Sequence, residues 1–183
     1  MIDLETMGQR FDAPIVSIGA VFFDPTTGEL GREFYVAIDI EDSFRFGKAS
    51  GGTVKWWMQQ SDAARLAAIA GNILLGAALS ELRDFYEAGV EGTSVWGNGP
   101  TFDISILEYA YMRCCGCPPP WPFWAVRDCR TIKDLGQHLS IGTKLAQGTA
   151  HNALDDALNQ VRWVSEMWCE LTKPQATVSD WLG

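Results

Sequence analysis

"MIDLETMG", residues 1–8, decides how the rest of the chain is read. Ile2 and Leu4 alternate with Asp3 and Glu5, and a period of two is the signature of a strand with two unlike faces. Asp3 and Glu5 then point the same way. If that face is buried, two unpaired carboxylates cost several kcal/mol. Clustered carboxylate oxygens are also the ligands a hard divalent cation takes. If the face is a solvated edge, neither acid needs a partner. The dipeptide spacing leaves both readings open.

Around this strand the chain reads as an α/β protein. "IVSIGAVFFD" (15–24) and "GREFYVAID" (31–39) are rich in β-formers and flank the turn sequence "PTTGEL", which predicts a hairpin. Gly47, Gly51 and Gly52 mark a loop. Helices are expected from Thr53 in "TVKWWMQQ", from Ser61 in "SDAARLAAIA", and over 80–89, where Ser80 is the start and Gly89 the stop. A short strand at 93–99 precedes a helix over 102–116. "PPPWP" (118–122) breaks the chain, a strand follows at 123–129, and a helix at 131–139. A long apolar stripe, from Ala153 through Leu158 and Val164 to Leu171, predicts the last helix over 153–172. A strand meander followed by alternating helices and strands implies a mixed sheet with helices packed on it.

The 183 residues suit a single domain over 1–183 with a substantial core. The net charge of −9 argues against a broad polyanion-binding surface, although bound divalent cations would offset clustered acids locally. There is no apolar run of about 18 residues and no basic segment leading into an apolar one. The expected compartment is the cytoplasm, with no membrane partner. Five cysteines, an odd number, fit reduced thiols. Cys114, Cys115 and Cys117 in "CCGC", with Cys129 and His138, do not match zinc-ligand spacing, so free thiols are the preferred reading.

Further acids join Asp3 and Glu5. "WGNGPTFDISIL" puts Asp103 after a Gly-rich turn at a helix start, where it could equally be a capping or dipole partner. "TAHNALDDALNQV" puts His151 just ahead of the last helix and Asp155 and Asp156 in its first turns. Taken together, these residues suit phosphodiester hydrolysis, in which two metals share several carboxylates and a base takes a proton from water. Histidine titrates in the range that base needs. His138, the other histidine, lies within a helical pattern and reads as a surface or packing residue.

"DLE", "NGPTFD" and "HNALDD" resemble, in order, the three motifs of the DEDD superfamily of 3′→5′ exonucleases, in its DEDDh branch. That branch includes polymerase proofreading subunits, RNase T and oligoribonuclease. The match selects Asp3, Glu5, Asp103, His151 and Asp156, and prefers Asp156 to Asp155. "DLETMG", "IVSIGAVFFD", "TVKWWMQQSDAAR" and "VWGNGPTFD" are similar to a smaller group. It holds mycobacterial adenylate-preferring exoribonucleases, phage exonuclease A and prophage proteins called exodeoxyribonuclease VIII.

The resemblance implies an RNase H-like fold: a mixed five-stranded sheet with helices packed on both faces. It also implies two Mg²⁺ or Mn²⁺ ions and a homodimer. The substrate would be the 3′ end of single-stranded RNA or DNA, and the product a nucleoside 5′-monophosphate. The acidic surface leans this toward RNA and short oligonucleotides. In the implied mechanism Asp3 bridges the ions. Glu5 and Asp156 complete the site nearest the attacking water, Asp103 serves the second ion, and His151 is the general base. The family's first strand has several apolar residues before Asp-x-Glu, whereas only Met1 and Ile2 precede it here. A short strand with a looser hold on Asp3 is therefore expected.

The candidate substrate contacts are Met7 and Gly8 in the turn after the first motif, Trp57, and Asn98 in "WGNG". Trp56 and Trp57 diverge by about 100° on a helix, so one can pack inward while the other offers a stacking face. Arg127, Arg130, Lys133 and Lys144 are either a phosphate track or a solvated face. Two rival functions remain: a non-catalytic RNase H-like binding module, which should lack one of the five site residues, and a nucleotide phosphohydrolase using the same ions.

Overall fold

Alternation in the first strand and the β-rich run after it produce a three-stranded antiparallel ladder in the order β1-β2-β3: β1 (Ile2–Thr6), β2 (Ile15–Phe23) and β3 (Leu30–Ala37). The computed structural model describes residues 1–138, 147–148 and 151–173. In the ladder Asp3 faces Gly19 and Glu5 faces Ser17, and the register shifts just after Glu5. A second ladder pairs β4 (Val95–Gly97) in parallel with β5 (Val126–Asp128). β1 lies beside β4. Among the described residues the strands form two separate ladders, of three and of two strands, where the family resemblance implies a single mixed five-stranded sheet.

Helices cover both faces, as the two-sided first strand requires. Ile2, Leu4, Ile18 and Ala20 pack against Leu75, Leu79 and Leu82 of α4 (Leu75–Glu87), and against Ile104 and Leu107 of α5 (Asp103–Ala110). On the other face Met1 and Val21 meet Ala157, Val161 and Val164 of α7 (Ala153–Leu171). α6 (Cys129–His138) packs on α7. Between the meander and α4 lie α1 (Ile40–Phe44), α2 (Gly51–Met58) and α3 (Asp62–Ile69). No helix of the described residues is long and apolar enough to cross a membrane.

Several boundaries differ from the sequence expectation. α2 begins at Gly51, because the cap is Ser50, whose hydroxyl accepts the Thr53 N–H; Gly51 and Gly52 are its first turn and not a loop. α4 begins five residues before Ser80. Its first amide, at Leu75, donates to the Asp42 carboxylate at 2.9 Å, a cap supplied from α1 that no local pattern announces. The predicted helix over 102–116 is α5 continued by a single π-helical turn, Tyr111–Cys115, and ended by left-handed Gly116. α6 starts two residues early, where Asp128 accepts the Arg130 N–H. Its expected end at Leu139, and Lys144, lie outside the described residues. Cys129 is buried in the α7 cluster, apart from the half-buried to exposed Cys114, Cys115 and Cys117 near the π turn.

Candidate active site

The alternation of β1 is realised as burial: Ile2, Leu4 and Thr6 are buried, while Asp3 and Glu5 are half-buried on the face that α7 crosses. The start of α7 comes unusually close to the sheet. A Cβ on Gly19, the residue opposite Asp3, would lie 2.2 Å from the Ala153 carbonyl carbon and the Leu154 nitrogen. Only glycine fits there. Asn152 caps the helix, its side-chain oxygen accepting the N–H groups of Leu154 and Asp155. His151, just outside the cap, adopts φ 63°, the sole positive φ outside glycine among the described residues.

These constraints gather the site. One ligand atom each from Glu5, His151 and Asp156 lies within 4.8 Å of the others, a group that contains Asp156 and not Asp155. Asp3 accepts a hydrogen bond from Gln160 Nε2 of α7 at 2.6 Å. Asp103, the first residue of α5, is 1% exposed. Its Oδ2 accepts the Asn98 N–H at 3.1 Å, and its Oδ1 has no hydrogen-bond partner among the described residues. β4 ends on Gly97 beside that carboxyl; a Cβ there would sit 3.3 Å from Asp103 Oδ2.

Burial raises the pKa of all four acids, and neighbouring acids raise Asp3 and Glu5 further. Asp3 is held well above the usual carboxylate range by burial first and then by Asp103, with the Gln160 hydrogen bond acting in the opposite sense. Burial, then Asp156 and Asp103, push Glu5 up to about 8. Burial pushes Asp103 to about 7; the backbone N–H groups of Asn98 and Leu4 directed at it, and Arg130, oppose that rise. Asp156 is raised by burial, with His151 the main opposing influence. Four acids so placed cannot all ionise at neutral pH without a counter-charge. The orphaned buried Oδ1 of Asp103 also asks for an electropositive partner. The carboxylate oxygens of Asp3, Glu5, Asp103 and Asp156 are a donor set that fits divalent cations of the Mg²⁺ and Mn²⁺ type.

The sequence-predicted substrate residues fall into two places. Met7, Gly8 and Trp57 are buried below the end of β1. Trp57 donates its indole N–H to the Thr6 carbonyl at 2.9 Å. Of the tryptophan pair Trp57 is the inward one. Trp56, 39% exposed, is the outward one and sets its ring edge-to-face with the His151 imidazole, centroids 4.7 Å apart. Met7 and Trp57 do line a groove of about 560 Å³ between α2 and α3, walled by Val54, Met58, Leu66 and Ile69. Asn98 stands on the opposite side, its backbone bridging Asp103 and Arg130. A larger cavity of about 860 Å³ opens by the start of β1, among Phe22, Phe85, Trp96 and Trp168, and holds none of the five acid and histidine residues.

Sequence reasoning missed Gly19, Gln160 and Asn152. "HNALDD" carried the signal for the Asn152 cap, since Asn is a preferred cap before an apolar run. Gly19 in a β-rich run signalled a close backbone approach. Gln160 lies on the Asp156 face of α7 at i+4, a position that only the contact with β1 makes meaningful.

With this geometry the comparisons agree. The family profile of the Rv2179c-like 3′-5′ exoribonuclease domain matches residues 1–168. By fold, the chain is similar to the nuclease domain of 3′hExo, a DEDDh family member solved with rAMP bound. The identity is 19% over 91% of this chain and 88% of that one, with a TM-score of 0.60. It is also similar to a full-length 3′-exonuclease at 18% identity over 91% and 79%, TM-score 0.58. A sequence comparison with curated proteins gives no match. The chain therefore belongs to the Rv2179c-like 3′-5′ exoribonuclease domain family.

Proposed function

We propose that the protein removes nucleotides one at a time from the 3′ end of single strands, RNA ahead of DNA, as nucleoside 5′-monophosphates, using two divalent cations and His151 as general base. The observation that carries this reading is the convergence of Glu5, His151 and Asp156 within 4.8 Å, with Asp3 and Asp103 electrostatically joined to that group. Mg²⁺ or Mn²⁺, held by Asp3, Glu5, Asp103 and Asp156, would supply Lewis acidity and neutralise charge at the scissile phosphate. His151 takes a proton from the attacking water, whose oxygen forms the new P–O bond as the upstream 3′-oxygen leaves. Trp56 and the turned backbone of His151 hold the imidazole at the mouth of the acid cluster. The rAMP in the 3′hExo structure, a ribonucleotide, supports the lean to RNA. A homodimer is the state the family resemblance implies.

The test is digestion of matched 5′-labelled RNA and DNA oligomers in Mg²⁺ or Mn²⁺, in EDTA, and with Asp103→Ala. A ladder shortening by one nucleotide, faster on RNA and absent in EDTA and in the variant, is expected. An intact strand under every condition would establish a binding module instead. Phosphate or pyrophosphate released from nucleoside triphosphates would establish a phosphohydrolase.

A further inference from the structure

We propose that Arg130 grips the phosphate immediately upstream of the scissile bond, on the Asp103 side of the site; this rests on the exonuclease reading above. The basic residues around 127–133 do not act as a track. Arg127 spends its guanidinium on the carbonyls of Trp124 and Val126. Lys133 lies over the Trp163 ring, 4.3 Å from its centroid. Arg130 is exposed and forms no ion pair among the described residues. Its one side-chain hydrogen bond among the described residues, Nη2 to the Asn98 carbonyl at 2.9 Å, runs to the residue whose amide donates to Asp103. Gly99, at φ 96°, leaves room for the guanidinium to lie on this turn; a Cβ there would be 3.1 Å from Arg130 Cζ.

The mount is rigid. Asp128 accepts the N–H groups of both Gly99 and Arg130, tying the 98–99 turn to the start of α6. A guanidinium has five donors in a fixed fork, so one bond to a carbonyl leaves donors for a phosphate. Direction follows from in-line displacement. His151 bears on Asp156 and Arg130 on Asp103, so with the water activated at the His151 group the leaving 3′-oxygen, opposite the water, is assigned to the Asp103 and Arg130 end. In a chain of net charge −9, this cation is placed to hold a strand against the repulsion of the acids.

The experiment compares wild type, Arg130→Ala, Arg130→Lys and the control Arg127→Ala on a single-stranded RNA octamer and on the p-nitrophenyl ester of thymidine 5′-monophosphate, which has no upstream phosphate. Affinity for the octamer is read separately by fluorescence anisotropy in Ca²⁺ over a KCl series. For Arg130→Ala the expected result is a roughly tenfold rise in KM on the octamer with kcat little changed. The slope of log affinity against log salt should be shallower by about 0.7, the loss of one phosphate contact. The ester should suffer a several-fold smaller loss, and lysine should rescue partially. Equal losses on both substrates, or an unchanged salt slope, overturn the proposal and leave Arg130 as a support of the 98–99 turn. Wild type inactive on both substrates overturns the exonuclease reading itself.

Discussion

Neutralising Glu5 should stabilise the metal-free protein while abolishing its response to metal. Burial and the neighbouring acids raise the Glu5 carboxyl from 4.5 to about 8. At about 1.36 kcal/mol per pH unit, that gap amounts to about 5 kcal/mol against the ionised form. Glu5 is only half-buried, so water screening and relaxation reduce this to about 1–2 kcal/mol. The sign follows from linkage. Below pH 4.5 Glu5 is protonated in both states and contributes nothing. Between 4.5 and 8 the unfolded chain releases the proton and the folded one keeps it, so wild-type stability falls as pH rises; above 8 the loss is constant. In EDTA at pH 8.5, Glu5→Gln should therefore melt higher by about 2–8 °C, at about 2–4 °C per kcal/mol for a chain of this size. The difference should fade toward pH 4.5. With Mn²⁺ the order should invert, because wild type gains ligand stabilisation that the variant lacks. Differential scanning fluorimetry across pH, with and without Mn²⁺, measures both. A variant that melts lower in EDTA at pH 8.5, or whose offset is independent of pH, would refute the buried-acid argument.

Other perturbations probe the same assembly. Gly19→Ala, whose methyl would meet the α7 backbone, should cost about 1–3 kcal/mol by overpacking and lower kcat by shifting His151 and Asp156, seen as a reduced Tm together with a reduced turnover. Gln160→Leu removes the hydrogen bond to Asp3; as an outer-shell partner it should weaken Mn²⁺ affinity about 10- to 100-fold in calorimetric titration. His151→Ala should lower kcat about 10²- to 10⁴-fold while Mn²⁺ still raises the Tm. Because cations displace protons from Glu5 and Asp103, Mg²⁺ affinity should climb between pH 6 and 8 and level off above; a flat profile in calorimetry would contradict the raised pKa values.

Much of this architecture was legible because its signals are local. Period-two alternation in residues 2–6 set a buried and a half-buried face, and the apolar stripe of α7 gave its ends to within a residue. The geometric group drew Asp156 and left Asp155 out, the distinction carried by motif spacing. What was illegible depends on residues distant in sequence. The start of α4 is fixed by Asp42, 33 positions away. The inward turn of Trp57 is fixed by the Thr6 carbonyl. Two adjacent tryptophans on a helix announce that one will be buried, but only the end of β1 decides which. Gly19 reads as a weak point in a strand until the α7 backbone is laid across it.

The acid cluster and its scaffold stand in opposition, and that explains the arrangement of the uncharged residues around it. Folding brings Asp3, Glu5, Asp103 and Asp156 together at a cost in electrostatic free energy, because each is partly removed from water and Asp103 and Asp156 further raise Asp3 and Glu5. Something must hold them there. Ile2 and Leu4 bury one face of β1 against α4 and α5, and Val161 and Val164 bury α7 on the other side. The contact of α7 with Gly19 sets how close the two acid-bearing elements come. If β1 held Asp3 loosely, the acids could separate and their pKa values would return toward ordinary values. The two-sided packing of β1 and the Gln160 hydrogen bond oppose that separation. On the proposed reading a bound cation would offset that cost, and the packing of the Ile2 and Leu4 face of one five-residue strand, with the apolar stripe of α7 across it, keeps the cluster assembled until then.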